Sequence, residues 1–422
     1  MTPSRTTAAS TGKLDLPAGA RAVALDFASS WEDRGGIWRY GIELARALVA
    51  ILDTEQVIIP VYDRLPESQV AELTTTKAQV SSSVFSSSYD RLESLQFQKG
   101  RFISWKAILP LIYRPTVRRH LFRSALRGAG VYHAMFECRG QPRRGVTVGT
   151  IHDLIPWVNH PVTDAGSQRM QRMAADHRRW AELVIVPSAA TRDDLINHAG
   201  FPEERVRVVH HGIDPSRFSS QAPVDRALLE RHRLREGKYL LYVSALAPHK
   251  NVERMVAAFL EVVGARNDIP MVLAGSVQYS SPYLNAVLAD GTDRVRHIGY
   301  VSDAELPGLY RGARALVHVA LAEGFGFSPL EALSCGCPVI VSRRAAAGEV
   351  VGEAGLQVDP LDVNDIARGI RTILEDDALH AVLQERGPRH SGQFTWQRCA
   401  RETLAVYREA FDRFTAGDTR LR

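Results

Sequence analysis

Glu323 and Glu331 stand eight residues apart, separated by the stretch Gly324-Phe325-Gly326-Phe327-Ser328-Pro329-Leu330. Just upstream, Ala315–Val319 is an apolar run of strand length. Ser328 falls where a helix N-cap belongs, with Pro329 at the first helical position. Glu331 follows Ser328 at capping-box spacing. Gly336 ends the helix, and Cys337-Pro338 opens the next strand. A glycine-containing loop that opens a helix offers free N–H groups and the positive end of a dipole, which together receive phosphate. Both carboxylates can face the same ligand. Carboxylates accept hydrogen bonds from sugar or ribose hydroxyls, which suits a nucleotide-sugar. Simple helix capping by Glu331 and plain turn geometry at the glycines are the competing structural readings.

The elements that position these residues alternate along the chain. Strands are expected at Arg21–Phe27, Val57–Val61, Val146–Ile151, Leu183–Val186, Val206–Val209, Tyr239–Val243, Pro270–Ala274, Ala315–Val319 and Pro338–Val341. Helical patterns fall between most of them; Ile37, Gly41, Leu44, Ala45 and Leu48 mark one helix face. Such alternation predicts an α/β chain with parallel sheets covered by helices on both faces. The 422 residues suit two to three domains. The pattern restarts near residue 235, after the polar segment Asp214–Gly237 with its Pro215 and Pro223. The expected division is a leader over 1–20, a first doubly wound domain over 21–214 and a linker over 215–237. A second such domain follows over 238–395, and a final helix over 396–422. Ligands of doubly wound domains sit beyond the carboxyl ends of the strands, so the strand-to-helix loops are where function belongs.

The hydrophobic fraction of 45% and charged fraction of 23% exclude disordered and fibrous classes. Fifty-two basic against 47 acidic residues leave a formal charge of +5, too weak to argue for nucleic acid. Cys138, Cys335, Cys337 and Cys399 match no zinc spacing and read as reduced thiols. No metal site is expected. No apolar run is long enough to span a membrane, and the first twenty residues lack a signal-peptide core. A cytoplasmic location is therefore expected.

One stretch, about 80–130, breaks the rhythm. Between Glu93 and Glu137 there is no acidic residue, while Lys99, Arg101, Lys106, Arg114, Arg118, Arg119, Arg123 and Arg127 fall in the same stretch with Phe97, Phe102, Trp105, Tyr113 and Phe122 among them. A helical insertion with a solvated basic face is one reading. Peripheral contact with anionic lipid at the inner membrane face, through residues 99–127, is the other.

The segment Glu323-Gly-Phe-Gly-Phe-Ser-Pro-Leu-Glu331-Ala-Leu resembles the paired-glutamate signature of the family-4 glycosyltransferases. The resemblance continues in order through GGIWRYGIELARAL (35–48), IHDLIPW (151–157), VPSAATRDDL (186–195), VVHHGID (208–214), LLYVSALAPHKN (240–251) and HIGYVSDAELPGLYRGARALVHV (297–319). FTWQRCARETLAVYREA (394–410) looks like the family's terminal helix, which implies that 396–422 packs back on the first domain. The resemblance spans roughly residues 20–415, the insertion excepted. It implies a GT-B fold, two Rossmann-like domains facing a cleft, and a retaining hexosyl transfer.

By this resemblance Glu331 binds the donor ribose and Glu323 lies near the transferred sugar. The amides of Gly324, Phe325, Gly326, Phe327 and Ser328 approach sugar or diphosphate. Lys250 neutralises the leaving diphosphate, whose charge grows as the glycosidic bond breaks. His152 reaches the sugar across the cleft, and Gly35 and Gly36 approach the diphosphate from the first domain. Ala245 stands where the family commonly has an arginine, so His249 is the candidate to replace that charge in part, and Arg192 is a further phosphate candidate. Tyr40, Trp38 and Arg39 read as packing or acceptor-side residues. No Asp-x-Asp motif occurs, which fits charge neutralisation by lysine and helix dipoles rather than by metal. The similarity to bacterial mannosyl enzymes of surface-polysaccharide assembly points to GDP-mannose as donor, with no separate cofactor, and to a glycan or lipid-linked acceptor. A GT-B epimerase and a non-catalytic sugar-nucleotide-binding subunit are the alternatives. A Rossmann oxidoreductase is disfavoured, because Gly324-Phe-Gly326 lacks the third glycine.

Overall fold

The computed structural model describes residues 13–26, 36–53, 56–61, 79–82, 126, 129–138, 140–142, 145–158, 165–264 and 268–417. Two all-parallel sheets organise it. The first runs β3-β2-β1-β4-β5-β6-β7. Its strands are β1 (Ala22–Asp26), β2 (Val57–Val61), β3 (Gln79–Ser82), β4 (Ala129–Ala134), β5 (Val146–Thr150), β6 (Leu183–Val186) and β7 (Val206–Val208). The second runs β10-β9-β8-β11-β12-β13. It contains β8 (Leu240–Val243), β9 (Met271–Ala274), β10 (Val295–Gly299), β11 (Ala315–His318), β12 (Val339–Ser342) and β13 (Leu356–Val358).

The N-terminal lobe carries helices α1 (Gly36–Ile51), α2 (Ile155–Val158), α3 (Ala165–Trp180) and α4 (Ala189–Ala199). The C-terminal lobe carries α5 (Arg226–Arg231), α6 (Val252–Val263), α7 (Pro282–Leu288), α8 (Leu306–Gly312), α9 (Phe327–Ser334), α10 (Ala346–Val351), α11 (Val363–Glu375) and α12 (Asp377–Ser391). The last helix, α13 (Trp396–Thr415), returns to the N-terminal lobe and packs along α1, over β5 and β6. Its buried face presents Trp396, Cys399, Leu404, Tyr407 and Ala410 to the core that α1 shares. Burial of a large apolar side chain contributes roughly 1.5–3 kcal/mol, so this face anchors the helix strongly.

The chain crosses between lobes twice, side by side. Ile213 pairs with Thr395, and the Ile213 N–H donates to the Phe394 carbonyl at 2.9 Å. Each sheet reverses its winding at one point, between β1 and β4 in the first and between β8 and β11 in the second. Ligand crevices open at such switch points.

Several expectations are revised. Segment 215–237 is not a bare linker: α5 lies within it, and Leu228, Leu229 and Leu234 are buried in the C-terminal core. Part of the supposed leader is also packed, since Leu16 is buried and the Leu14 N–H donates to Ile51. The end of the supposed insertion is β4, fully buried beside β1. Composition signalled basic character there, whereas AGVYHA carries a glycine and a histidine and shows no clear apolar run, so its strand identity rests on pairing with its two neighbours. Lys99 to Arg123, the basic aromatic stretch, lies outside the described residues.

Candidate active site

The second sheet's switch point brings two distant loops together. Lys250 follows β8 and Glu323 follows β11, strands that are paired through Leu240–Ala315 and Leu241–Leu316. The Lys250 ammonium donates to Glu323 Oε2 at 2.7 Å, and His318 Nε2 lies 2.9 Å from the same oxygen. Both members of the pair are largely covered, at 12% and 17% exposure. Burial opposes ionisation of Glu323, but Lys250 and then His318 outweigh it and hold the carboxyl well below the usual range. Lys250 ends a short 3-10 turn, Pro248–Lys250, and the next residue, Asn251, is fastened to the Val319 and Pro360 carbonyls.

The loop after Glu323 leads into α9, which begins at Phe327 with Gly326 as its cap. Gly326 has φ 103°, a left-handed conformation natural to glycine. The expected Ser328 cap is therefore displaced by two residues, to Gly326, and no side chain caps this helix. Glu331 does not cap the helix either. Its Oε1 pairs with Arg39 at 2.5 Å, and its Oε2 accepts from the Tyr310 hydroxyl at 3.0 Å. Glu331 is 3% exposed, and burial pushes its carboxyl pKa up against the opposing pull of Arg39 and Tyr310.

Arg39 comes from the other lobe, in the first turns of α1. Read from the sequence as a packing or acceptor-side residue, it instead bridges Glu331 and Asp303, the latter at 2.9 Å. Burial pulls its pKa down, yet the charges of Glu331 and Asp303 outweigh that and raise it. Asp303 is shared with Arg217 at 3.1 Å. Gly36, at the start of α1, faces the Phe327 ring: a Cβ there would lie 3.6 Å from it. Two helix starts, those of α1 and α9, thus approach each other across the cleft. Gly35 lies outside the described residues.

His152 follows β5. Its Nε2 lies 2.9 Å from the Met135 carbonyl, which only accepts, so Nε2 carries the proton and Nδ1 is an acceptor. Burial lowers its pKa to about 4, which leaves the ring neutral at pH 7. Its ring packs edge-on against buried Tyr40. Asp153, beside it, caps the Ile155 N–H, and burial raises its pKa. The two lobes touch here: the Gly324 carbonyl accepts from the hydroxyls of Ser188 and Thr191 at 2.8 and 3.2 Å.

Phe325 and Phe327 direct their rings into an aromatic cluster with His211, and Trp396 stacks on the same imidazole. A second bridge joins the lobes at Glu349, which accepts from the N–H groups of Ala189 and Ala190 and lies 2.9 Å from His210. Two further candidates make other contacts. Arg192 pairs with its own neighbour Asp193 rather than with any group of this cluster. His249 joins the site through its carbonyl, which accepts from Leu321 at 2.8 Å.

Beyond β8 and β9 a pocket of about 220 Å³ is lined by Ser244, Ala245, Gly275, Tyr300, Val301 and Asp303, among others. Tyr300 is its exposed lip, at 78%. None of its lining residues is cationic. Asp303 and Tyr310 were not singled out from the sequence, and Arg39 was read as a packing or acceptor-side residue rather than as a partner of Glu331. The signal for Arg39 was its place one turn beyond Gly36, whereas nothing local marks Tyr310 as a partner of Glu331.

The sequence matches the family described as Glycosyltransferase Family 4 over residues 34–217 and Glycosyl transferases group 1 over 226–390. It is 28% identical over 389 residues to the O-antigen chain mannosyltransferase B of Escherichia coli, covering 88% of this chain and 96% of that one. It is 29% identical over 256 residues to the MMP alpha-(1->4)-mannosyltransferase of Mycolicibacterium hassiacum, covering 60% of this chain and 59% of that one. The fold matches Anabaena Alr3699/HepE, solved in complex with UDP and glucose, with a TM-score of 0.67 at 18% identity, over 92% of this chain and 99% of that one. The two matched regions coincide with the two lobes that meet at Glu323 and Glu331, and the chain belongs to the family-4 glycosyltransferases of GT-B fold, similar to bacterial mannosyltransferases.

Proposed function

We propose that this glycosyltransferase moves a mannosyl unit from a nucleotide-sugar, with GDP-mannose as first candidate, to a glycan or lipid-linked acceptor in bacterial surface-polysaccharide assembly. The gathering of Lys250, Glu323, Glu331 and His152 along one interlobe seam carries this reading. The likeness to an O-antigen chain mannosyltransferase supports the mannosyl unit and the polysaccharide context. This reading assigns the nucleoside to the pocket of about 220 Å³ beyond β8 and β9 and its ribose hydroxyls to Glu331, whose carboxylate can accept from them. The start of α9 and Lys250 receive the diphosphate. Glu323, ionised and tied to Lys250, faces the sugar. The neutral His152 ring accepts from a sugar hydroxyl through Nδ1.

In the transfer, the bond between the anomeric carbon and the diphosphate oxygen breaks, and the acceptor oxygen bonds to that carbon on the same face. The departing phosphate oxygen takes the acceptor's proton, so no carboxylate base is needed. Lys250 offsets the negative charge that grows on the leaving group. No divalent metal takes part in this scheme. The basic stretch 99–127 rests on anionic lipid at the inner face of the cytoplasmic membrane; no helix among the described residues is long and apolar enough to cross one.

A panel of nucleotide-sugars tested by thermal shift identifies the donor, since ligand binding raises apparent stability by mass action. Product NMR then assigns the new linkage: an alpha linkage from an alpha donor supports retention, and a beta linkage overturns it. Donor isomerised without acceptor would mark an epimerase instead. Activity abolished by EDTA would refute the metal-free scheme. Reversing the charges of Arg118, Arg119 and Arg123 should weaken binding to anionic vesicles, and unchanged binding would refute the membrane contact.

A further inference from the structure

Arg39 holds the most telling position that the scheme above does not use. It is the group that covers Glu331 from the opposite lobe, with Asp303 on its other side. Asp303 and Ala245 both line the pocket, so the guanidinium lies between the pocket rim and the carboxylate that faces the ribose. Its backbone sits one turn beyond Gly36, where the starts of α1 and α9 approach. The pocket itself supplies no cation, and Lys250 is already paired with Glu323.

A nucleoside diphosphate entering this seam brings two demands. Its ribose needs acceptor capacity on Glu331, whose oxygens are engaged by Arg39 and Tyr310. Its diphosphate needs positive charge beyond a single lysine. One movement answers both. The planar guanidinium fork matches phosphate oxygens as well as carboxylate oxygens, so exchanging one anionic partner for another keeps its charge-assisted bonds. We infer that Arg39 is a further donor-binding residue: paired here with Glu331 and Asp303, it transfers to the donor diphosphate when the ribose reaches Glu331. This supplies, from the N-terminal lobe, the second cation that position 245 does not provide. It also couples donor binding to the contact between lobes, because Arg39 is one of the ties between them. The inference rests on the nucleotide-sugar reading above.

The test is calorimetric titration of the full chain with GDP and guanosine, and with UDP and uridine in parallel. For the base that binds, Arg39→Ala should weaken diphosphate binding about 10- to 100-fold and leave nucleoside binding unchanged or tighter. Arg39→Lys should fall between the two, because it keeps charge but not the fork. Adding Ala245→Arg to Arg39→Ala should recover most of the lost diphosphate affinity, a rescue that a purely structural role would not produce. Equal losses for diphosphate and nucleoside, or undiminished diphosphate affinity in Arg39→Ala, would overturn the inference while the functional reading stands. Failure of the unaltered chain to bind either diphosphate would overturn that reading and this inference together. Circular dichroism of each variant separates loss of binding from loss of fold.

Discussion

Gly324 lies so close to His152 that a Cβ on residue 324 would stand 2.3 Å from the His152 carbonyl oxygen and 3.1 Å from the Asp153 Cβ. The glycine is set by contact between lobes, since its neighbour is backbone of the other domain rather than its own turn. This contact places the Glu323 loop against the His152 loop, and it holds only while nothing larger than hydrogen occupies that position.

Gly324→Ala should therefore separate the two loops. Backbone cannot yield as a flexible side chain would, so the lobes must part by enough to restore van der Waals distance. We expect a fall in kcat of at least 10-fold with little change in the Tm of either lobe, because the clash lies at the seam and not in a core. Steady-state kinetics beside calorimetry checks this, and undiminished kcat would count against the contact.

Lys250→Met should be costly in two ways. It leaves the Glu323 carboxylate with His318 as its remaining partner among the described residues, and breaking a covered ion pair costs about 3 kcal/mol. On the proposed function it also removes the charge that would offset the leaving diphosphate, worth on the order of 100-fold in rate. Adding Glu323→Gln to Lys250→Met should restore part of the stability and none of the rate. Chemical denaturation of the two single variants and the double variant closes the cycle.

Acid should destabilise the fold well before carboxylates respond. His133 and His152 are pushed down to about 3 and 4 by burial, and His177 and His211 are lowered as well. Unfolded histidine titrates near 6.5. Between about pH 6.5 and 4 the unfolded chain binds protons that the folded chain refuses, so stability rises with pH there and falls on acidification. Asp153, Asp194 and Glu331, with raised values, pull the other way but are fewer. The contribution of Glu323, whose value is depressed, is lost only below the ordinary carboxylate range. The Tm should drop steadily from pH 7 to pH 5, and a Tm that stays level or rises would contradict this assignment.

All four cysteines are free and buried, and burial raises the thiol pKa of Cys138, Cys335 and Cys399 to about 12 and that of Cys337 further. The thiolate is the reactive form. A disulfide-exchange reagent at pH 8 should label the native chain slowly and all four thiols after denaturation. Rapid labelling of any one in the native state would show that it is not held in the core.

What the sequence determined by itself is what short segments encode. The paired glutamates, the glycine turn and the apolar runs that became β1, β2, β5, β6, β7, β8, β9, β11 and β12 were all legible, because strand periodicity and turn chemistry act within a few residues. Even there, boundaries moved: Gly326 rather than Ser328 precedes α9, since the loop's left-handed residue sets where the helix begins. Strands β3, β4, β10 and β13 were passed over: QVSS and LQV are short and part polar, while AGVYHA and VRHIG carry glycine, histidine or arginine within the run, so none shows a clear apolar stretch of its own. What tertiary structure alone decided is which charges meet. Lys250 and Glu323 are 73 positions apart, and they pair because the sheet places β8 beside β11. Arg39 and Glu331 are 292 positions apart, and they pair because the chain returns to pack α13 on α1 and so sets one lobe against the other. Electrostatic attraction depends on distance in space, and no local pattern in a chain carries that distance.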